Sequence, residues 1–120
     1  MKDLQESGEM YLESILVLSQ THDEVHSVDV ANYLGYSKPS VSRAVGVLRD
    51  RGLLDMDEHA HLILTEAGRA IAEKVYERHL TIAEFLGKLG VQASVAEADA
   101  CRIEHIISDE TFRAIKAHLQ

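Results

Sequence analysis

Six side chains that can bind a transition metal lie in three groups along the 120-residue chain. The densest group is the triplet Cys101, Glu104 and His105. Because a helix repeats every ~3.6 residues, these positions fall within about 100° of arc and bring a thiolate, a carboxylate and an imidazole to one edge. This mixture suits divalent Fe, Co, Ni or Zn better than Mg or Ca. The other candidate ligands are Met10, Glu13 and His79.

Each candidate ligand also has an ordinary structural interpretation. Met10 alone is typical of a core position, and Cys101 alone of a small buried hydrophobic residue. Glu13 and Glu104 alone are typical of solvated charges, and His79 alone of a surface or core histidine. The metal hypothesis therefore depends on the combination, and above all on the triplet.

A DNA-reading helix is predicted between the first metal candidates and the last. In a helix-turn-helix the second helix enters the major groove with its N-terminal side chains at the base edges. Here those side chains are small or hydrogen-bonding, Arg43 can pair with guanine, and Lys38 suits phosphate. An ordinary surface helix is the alternative, since capping alone favours serine. The predicted DNA-binding residues are Ser37, Lys38, Pro39, Ser40, Ser42 and Arg43.

The elements around these residues are mostly helices. Hydrophobic spacing and capping signals predict helices over residues 7–20, 28–34, 38–51, 65–87, 94–107 and 109–119. Two short strands, LLDMD and LILT, flank the turn EHAH and are typical of a β-wing. Ser27 is the predicted N-cap of helix 28–34, and Thr65 opens the long helix 65–87. We expect Ile103, Ile106 and Ile107 to form the buried side of helix 94–107.

The order of elements predicts a mainly α fold with a small β-wing. The expected architecture is a winged helix-turn-helix DNA-binding domain at residues 1–72, followed by a helical domain at residues 73–120. The second domain is expected to bind metal, since it contains His79, Cys101, Glu104 and His105.

Composition excludes several classes of protein. Hydrophobic residues make up 46% and charged residues 27%, as in ordinary globular proteins. No run approaches the roughly 18 apolar residues of a membrane span, and the first residues do not resemble a signal peptide. The single cysteine excludes an internal disulfide and indicates a reduced, cytoplasmic thiol. We therefore expect a cytoplasmic protein without a membrane partner.

The net charge of −8 at first argues against DNA binding, because that binding draws on Lys and Arg at phosphates. The predicted recognition segment is an exception within the chain. Residues 38–51 carry Lys38, Arg43, Arg49 and Arg51 against Asp50 alone. A local basic patch is therefore present in an acidic protein.

Four segments of the chain together resemble the metal-dependent repressors of the diphtheria toxin repressor and manganese transport regulator family. These segments are EMYLESIL, DVANYLGYSKPSVSRAVGVLRDRGLL, LTEAGR and ACRIEHIISDE, and the resemblance covers residues 4–119. It implies a homodimer that binds operator DNA through winged helices and represses metal-uptake genes. It also implies a metal ion between the DNA-binding and helical lobes, and no small-molecule substrate.

Within this family, the chain resembles both the iron-responsive branch and the manganese branch. Met10, Cys101, Glu104 and His105 match the primary site of the iron-responsive branch, whereas Glu13 matches a ligand position of the manganese branch. His79 matches a ligand position in both. The softer ligands favour Fe(II), with Mn(II) next and Zn, Co or Ni as ions that bind in vitro. At two ancillary positions of the iron branch this chain has Ala83 and Glu97. The preferred replacement for the ancillary site is His79 with Glu13 bridging to the primary site, and Glu97 and Glu84 are secondary candidates.

Three other functions compete with a metal-activated repressor. A metal-independent winged-helix regulator, sensing an organic ligand or oxidation of Cys101, would bind its operator equally well with a chelator present. An enzyme could use Glu and His beside a metal to activate water, but no phosphate-binding loop or nucleophile motif supports this. A structural interaction module would leave the serine-rich helix and the wing unexplained. We therefore expect a regulator and not an enzyme.

Overall fold

The computed structural model describes residues 6–120, which form six helices and one two-stranded antiparallel sheet. The predicted mainly α class with a small β element is confirmed. Internal contacts divide the chain into two compact units, one ending at Glu73 and one running from Lys74 to Gln120. The elements in chain order are α1 (Glu6–Ser19), α2 (Ser27–Leu34), α3 (Lys38–Asp50), β1 (Leu54–Met56), β2 (Leu62–Leu64), α4 (Glu66–Lys88), α5 (Ala93–Ile103) and α6 (Asp109–Leu119).

The first unit is built on the apolar faces of α1, α2 and α3. Leu12 and Ile15 on α1 are buried, as is the stripe Val41, Val45 and Leu48 on α3. Val30 and Ala31 provide the buried positions of α2. These faces pack together, since α2 contacts both α1 and α3. The core of this unit therefore lies among these three helices.

The helix termini of the first unit are closed by local hydrogen bonds. Ser27 was wrongly predicted as the N-cap of α2; His26 holds that position, and its N–H donates to the Asp29 carboxylate at 2.8 Å. The capping position thus lies one residue earlier, where Asp29 can reach back to it. Gly35 ends α2 in the left-handed region with a φ of 74°. Thr65 was predicted to be the first residue of the long helix, but α4 begins at Glu66, and the Thr65 hydroxyl caps it by accepting a hydrogen bond from the Gly68 N–H.

The wing consists of β1 and β2, each shorter than the predicted strand. Leu54 lies opposite Leu64, and Met56 opposite Leu62. In the turn, one Asp57 oxygen accepts hydrogen bonds from the N–H groups of His59 and His61, both at 2.9 Å. These bonds favour the ionised carboxylate and lower the pKa of Asp57. The side chain of Asp57 therefore orders the tip of the wing.

The second unit differs from prediction at the end of α5. The predicted helix 94–107 ends at Ile103, and Glu104 is its C-cap. Ile106 was expected to be buried but is 73% exposed, because residues 104–107 form a turn that leaves the helix axis. The next helix, α6, begins after Ser108, whose hydroxyl accepts a hydrogen bond from the Thr111 N–H.

Arg78 explains why the chain turns there. Its side chain, on α4, is 10% exposed and donates to the carbonyl oxygens of Glu104, at 3.4 Å, and Ile107, at 2.9 Å. It also pairs with the Asp109 carboxylate and lies 5.4 Å from the centre of the Phe112 ring. A cation at a helix C-terminus satisfies carbonyls that have no partner within the helix. Arg78 therefore holds the 104–107 turn and the start of α6 against α4.

A membrane-spanning element is absent from the part of the chain that the structure describes. Within residues 6–120 no helix combines the length and the apolar character needed to cross a bilayer.

Gly68 is required where α4 passes the wing. A Cβ atom added there would lie 1.9 Å from the carbonyl oxygen of Leu53, which is backbone and cannot move aside independently. We expect Gly68→Ala to lower the free energy of unfolding by about 1–3 kcal/mol through overpacking. Gly46→Ala is the matched control, because a Cβ there meets nothing within 4 Å and alanine favours the helix. Urea unfolding of both variants checks the expectation, and equal stabilities would contradict it.

Arg78 is expected to stabilise the second unit. Arg78→Met keeps most of the side-chain volume but leaves the carbonyls of Glu104 and Ile107 without this donor. We expect a loss of about 1.5–3 kcal/mol in the free energy of unfolding, the range for buried hydrogen bonds to charged groups. Arg102→Met on the exposed side of α5 is the control and should change stability by less than about 0.5 kcal/mol. Similar losses in both variants would show that Arg78 has no special role.

Candidate metal centre and DNA interface

The most polar cluster of the second unit surrounds His79 on α4. Its Nδ1 lies 2.7 Å from Oε1 of Glu104, and its Nε2 lies 2.7 Å from Oε2 of Glu97. The hydrogen bond to Glu104, and then the one to Glu97, raise the pKa of His79 to about 9 against the opposing effect of burial. Without a metal, the imidazolium therefore donates to both carboxylates at neutral pH. The two carboxylates therefore fix the orientation of the His79 ring.

Glu104 is the buried member of this cluster. Its side chain is fully buried, and its Oε2 makes no hydrogen bond within residues 6–120. That oxygen lies 3.4 Å from Nε2 of His105, whose side chain is also fully buried. A buried carboxylate is costly unless a positive charge or hydrogen bonds compensate it. A carboxylate oxygen without a hydrogen bond, beside two imidazoles, fits a divalent transition metal.

Cys101 lies on α5 one helical turn before Glu104 and is half-buried. The predicted arc of three ligands on one continuous helix is wrong, because the helix ends at Ile103. Glu104 still donates its N–H to the Ala100 carbonyl at 2.9 Å and so keeps helical register. His105 instead belongs to the turn held by Arg78. The structure thus brings His79, Glu104 and His105 together by a turn rather than by helical periodicity.

Two predicted ligands lie on α1 in the first unit. Met10 is half-buried, and its sulfur accepts a hydrogen bond from the Tyr36 hydroxyl at 3.4 Å. Glu13 is 9% exposed, which is unusual for a glutamate on a helix. Met10 therefore contacts the residue that immediately precedes the predicted DNA-reading segment.

The predicted DNA-reading segment forms the N-terminal part of α3. Ser37 is its N-cap and accepts a hydrogen bond from the Ser40 N–H at 3.2 Å, with Pro39 in the first turn. Arg43 is exposed and donates to the Ser40 hydroxyl at 3.3 Å. Lys38 and Ser42 are also exposed. These side chains are available to a duplex because Val41 and Val45 turn the opposite face of the helix into the core.

Two residues of the second unit were missed or undervalued in the sequence. Arg78 was not singled out, although it follows Val75 by three residues and precedes Ile82 by four on the buried face of α4. A charged residue on an apolar stripe is the signal that would have identified it. Glu97 was one of two ancillary candidates, and its contact with His79 distinguishes it from exposed Glu84.

Two family models cover almost the whole chain. The N-terminal DNA-binding domain of the iron dependent repressors matches residues 3–62. The metal-binding and dimerisation domain of the same repressors matches residues 65–120.

Named relatives include regulators of both metals. The chain is 36% identical over 110 residues to the transcriptional regulator MntR of Escherichia coli O6:H1, covering 92% of this chain and 71% of the relative. It is 34% identical over 116 residues to the iron-dependent repressor IdeR of Mycobacterium tuberculosis, covering 96% and 50%. The chain thus spans about half the length of its iron-named relatives.

A solved structure, that of the manganese regulator SloR, shares the fold. The TM-score is 0.83 at 28% identity, and the match covers 98% of this chain and 54% of that one. The predicted winged-helix architecture is confirmed by this likeness together with the DNA-binding model. Both family models describe iron dependent repressors, and the MntR relative is named a transcriptional regulator. The chain therefore belongs to the diphtheria toxin repressor and manganese transport regulator family of metal-dependent transcriptional repressors.

Proposed function

We propose that this chain represses metal-uptake genes in the cytoplasm, and that it binds operator DNA as a homodimer when a divalent metal, preferably Fe(II), is bound. The observation that carries the proposal is the buried Glu104 carboxylate, which faces His79 and His105 in the part of the chain that matches a metal-binding domain. A DNA-reading helix in the same chain supplies the output. In the proposed division, residues 1–72 bind DNA and residues 73–120 bind metal and dimerise.

The proposed ligands are drawn from both units of the chain. Glu104 and His105 are the central pair, and His79 and Cys101 contribute from α4 and α5. Resemblance to the family adds Met10 and Glu13 of α1. The metal would supply a fixed positive charge that compensates the buried carboxylate, and shared ligands would restrict the two units relative to each other. In a dimer this restriction would set the spacing of the recognition helices, on which binding to two half-sites depends.

The choice of Fe(II) depends on the soft ligands. A thioether at Met10 and a thiolate at Cys101 favour a softer ion than two carboxylates would. A manganese-responsive regulator is the second candidate, and Glu13 and the 36% identity to MntR favour it. Zn, Co and Ni are expected to bind in vitro because their affinity for such ligands is higher.

The proposed dimer has support in the second unit. Several large apolar side chains are exposed there, and a contact between two copies of the chain would remove them from water. They are Leu80, Leu89, Val95 and Ile106. The matching family model describes a dimerisation domain over this region.

Removal of a proposed ligand tests its assignment through the dependence of DNA binding on metal. We expect Cys101→Ala and His105→Ala to lose metal-dependent DNA binding at metal concentrations that saturate the wild type. The probe is a duplex that the wild-type chain selects from a randomised library. His118→Ala on α6 is the control, because this histidine lies outside the proposed ligand set. A response to metal like that of wild type in either ligand variant would refute that ligand assignment.

Arg43→Ala should weaken DNA binding without changing metal binding. A lost guanine contact is worth about 1–3 kcal/mol, so affinity for the selected duplex should fall roughly 5- to 150-fold. Metal affinity, measured by competition with a chromophoric chelator, should remain that of wild type. Arg102→Ala, a change of the same charge in the other unit, should leave DNA affinity within about twofold. Loss of metal affinity in Arg43→Ala would count against a role confined to DNA.

A further inference from the structure

The two sides of the His79 ring differ in their surroundings. Nδ1 faces Glu104, whose side chain is fully buried and whose second oxygen makes no hydrogen bond within residues 6–120. Nε2 faces Glu97, whose side chain is 62% exposed. A neutral imidazole carries one proton, so it can offer one nitrogen to a metal and must donate from the other.

The buried side has the features of a coordination shell. Glu104 Oε1 lies 2.7 Å from Nδ1, and Glu104 Oε2 lies 3.4 Å from the Nε2 of buried His105. Two imidazoles and one carboxylate thus converge away from solvent. Glu97 instead lies on the outer side of the ring, at the 2.7 Å distance of a strong hydrogen bond. Histidine ligands commonly donate their other ring N–H to such a carboxylate, which fixes the tautomer and strengthens the ligand.

We infer that Glu97 is a positioning residue for the metal site, which holds His79 as the Nε2–H tautomer so that Nδ1 is the metal-binding atom. This inference depends on the proposed function, because it assumes that the chain binds a transition metal through His79. Glu97 itself stays outside the coordination shell. Its position on α5, one turn before Cys101, lets one helix supply both a proposed ligand and the group that orients another.

The tautomer is directly observable in the 120-residue chain loaded with Zn(II), which is diamagnetic. Long-range ¹H–¹⁵N correlation spectra distinguish a protonated ring nitrogen from a metal-bound one, and His79→Gln identifies the His79 signals among the seven histidines. We expect His79 Nε2 to carry the proton and Nδ1 to carry Zn(II). Zn(II) on Nε2 would overturn the inference, since Glu97 would then lie on the metal side.

Affinity for Zn(II) provides the second readout. Loss of an outer carboxylate typically lowers metal affinity 10- to 100-fold, and we expect a loss of about that size for Glu97→Ala. Glu97→Gln retains an oxygen acceptor without charge, so its loss should be smaller. Asp99→Ala is the matched control. Asp99 is an exposed carboxylate on the same helix, whereas the hydrogen bonds of the His79 ring are to Glu104 and Glu97. An affinity of Glu97→Ala equal to that of the control would overturn the inference.

Failure of the inference is distinguishable from failure of the proposed function. If the wild-type chain binds Zn(II) through Nε2 of His79, or if Glu97→Ala leaves the Zn(II) affinity unchanged, only the role of Glu97 is refuted. A wild-type chain that binds no Zn(II), Co(II) or Mn(II) refutes the proposed function and the inference together.

Discussion

Burial of the Glu104 carboxylate is the constraint on which the second unit depends. A charged group without solvent must be compensated, and the chain provides His79 and His105 at its two oxygens. Arg78 acts on the same residue through the backbone, since it donates to the Glu104 carbonyl. These hydrogen bonds hold the turn in which α5 ends, and the turn brings Glu104 and His105 to the side of His79. Packing of α4, α5 and α6 is thus organised around a polar centre rather than a purely apolar core.

The same arrangement explains how a metal-free chain can fold and still bind metal. Without an ion, His79 as a cation donates to Glu104 and Glu97 and offsets the buried charge. The geometry of the cluster is then held by protein contacts before any ion arrives, which lowers the cost of organising ligands. In the proposed function a bound ion would supply the positive charge that compensates Glu104. The acidic character of the chain fits this view, because an added cation also reduces the repulsion of DNA phosphates.

Much of the fold was predictable because the relevant patterns are local. The apolar spacing of α3, the cap at Thr65 and the left-handed Gly35 are each determined by a few neighbouring residues. The end of α5 was not predictable in this way, since Glu104, His105 and Ile106 continue a helical pattern. A side chain 26 positions away, Arg78, ends the helix there. The contact between His79 and Glu97 likewise joins two helices, and periodicity within one helix cannot indicate it. The candidate ligands could be named from the sequence, but the pairing of their atoms depends on these long-range contacts.

Dependence of DNA binding on metal is the central claim, and one titration tests it most directly. Fluorescence anisotropy of the selected duplex would be followed anaerobically while Fe(II) or Mn(II) is added to the wild-type chain, with a chelator as the reference. The account predicts little binding in chelator, recovery with either ion, and half-maximal binding at a lower concentration of Fe(II) than of Mn(II). A preference for Mn(II) would transfer the assignment to the manganese-responsive candidate. Equal binding with chelator and with metal would contradict the account.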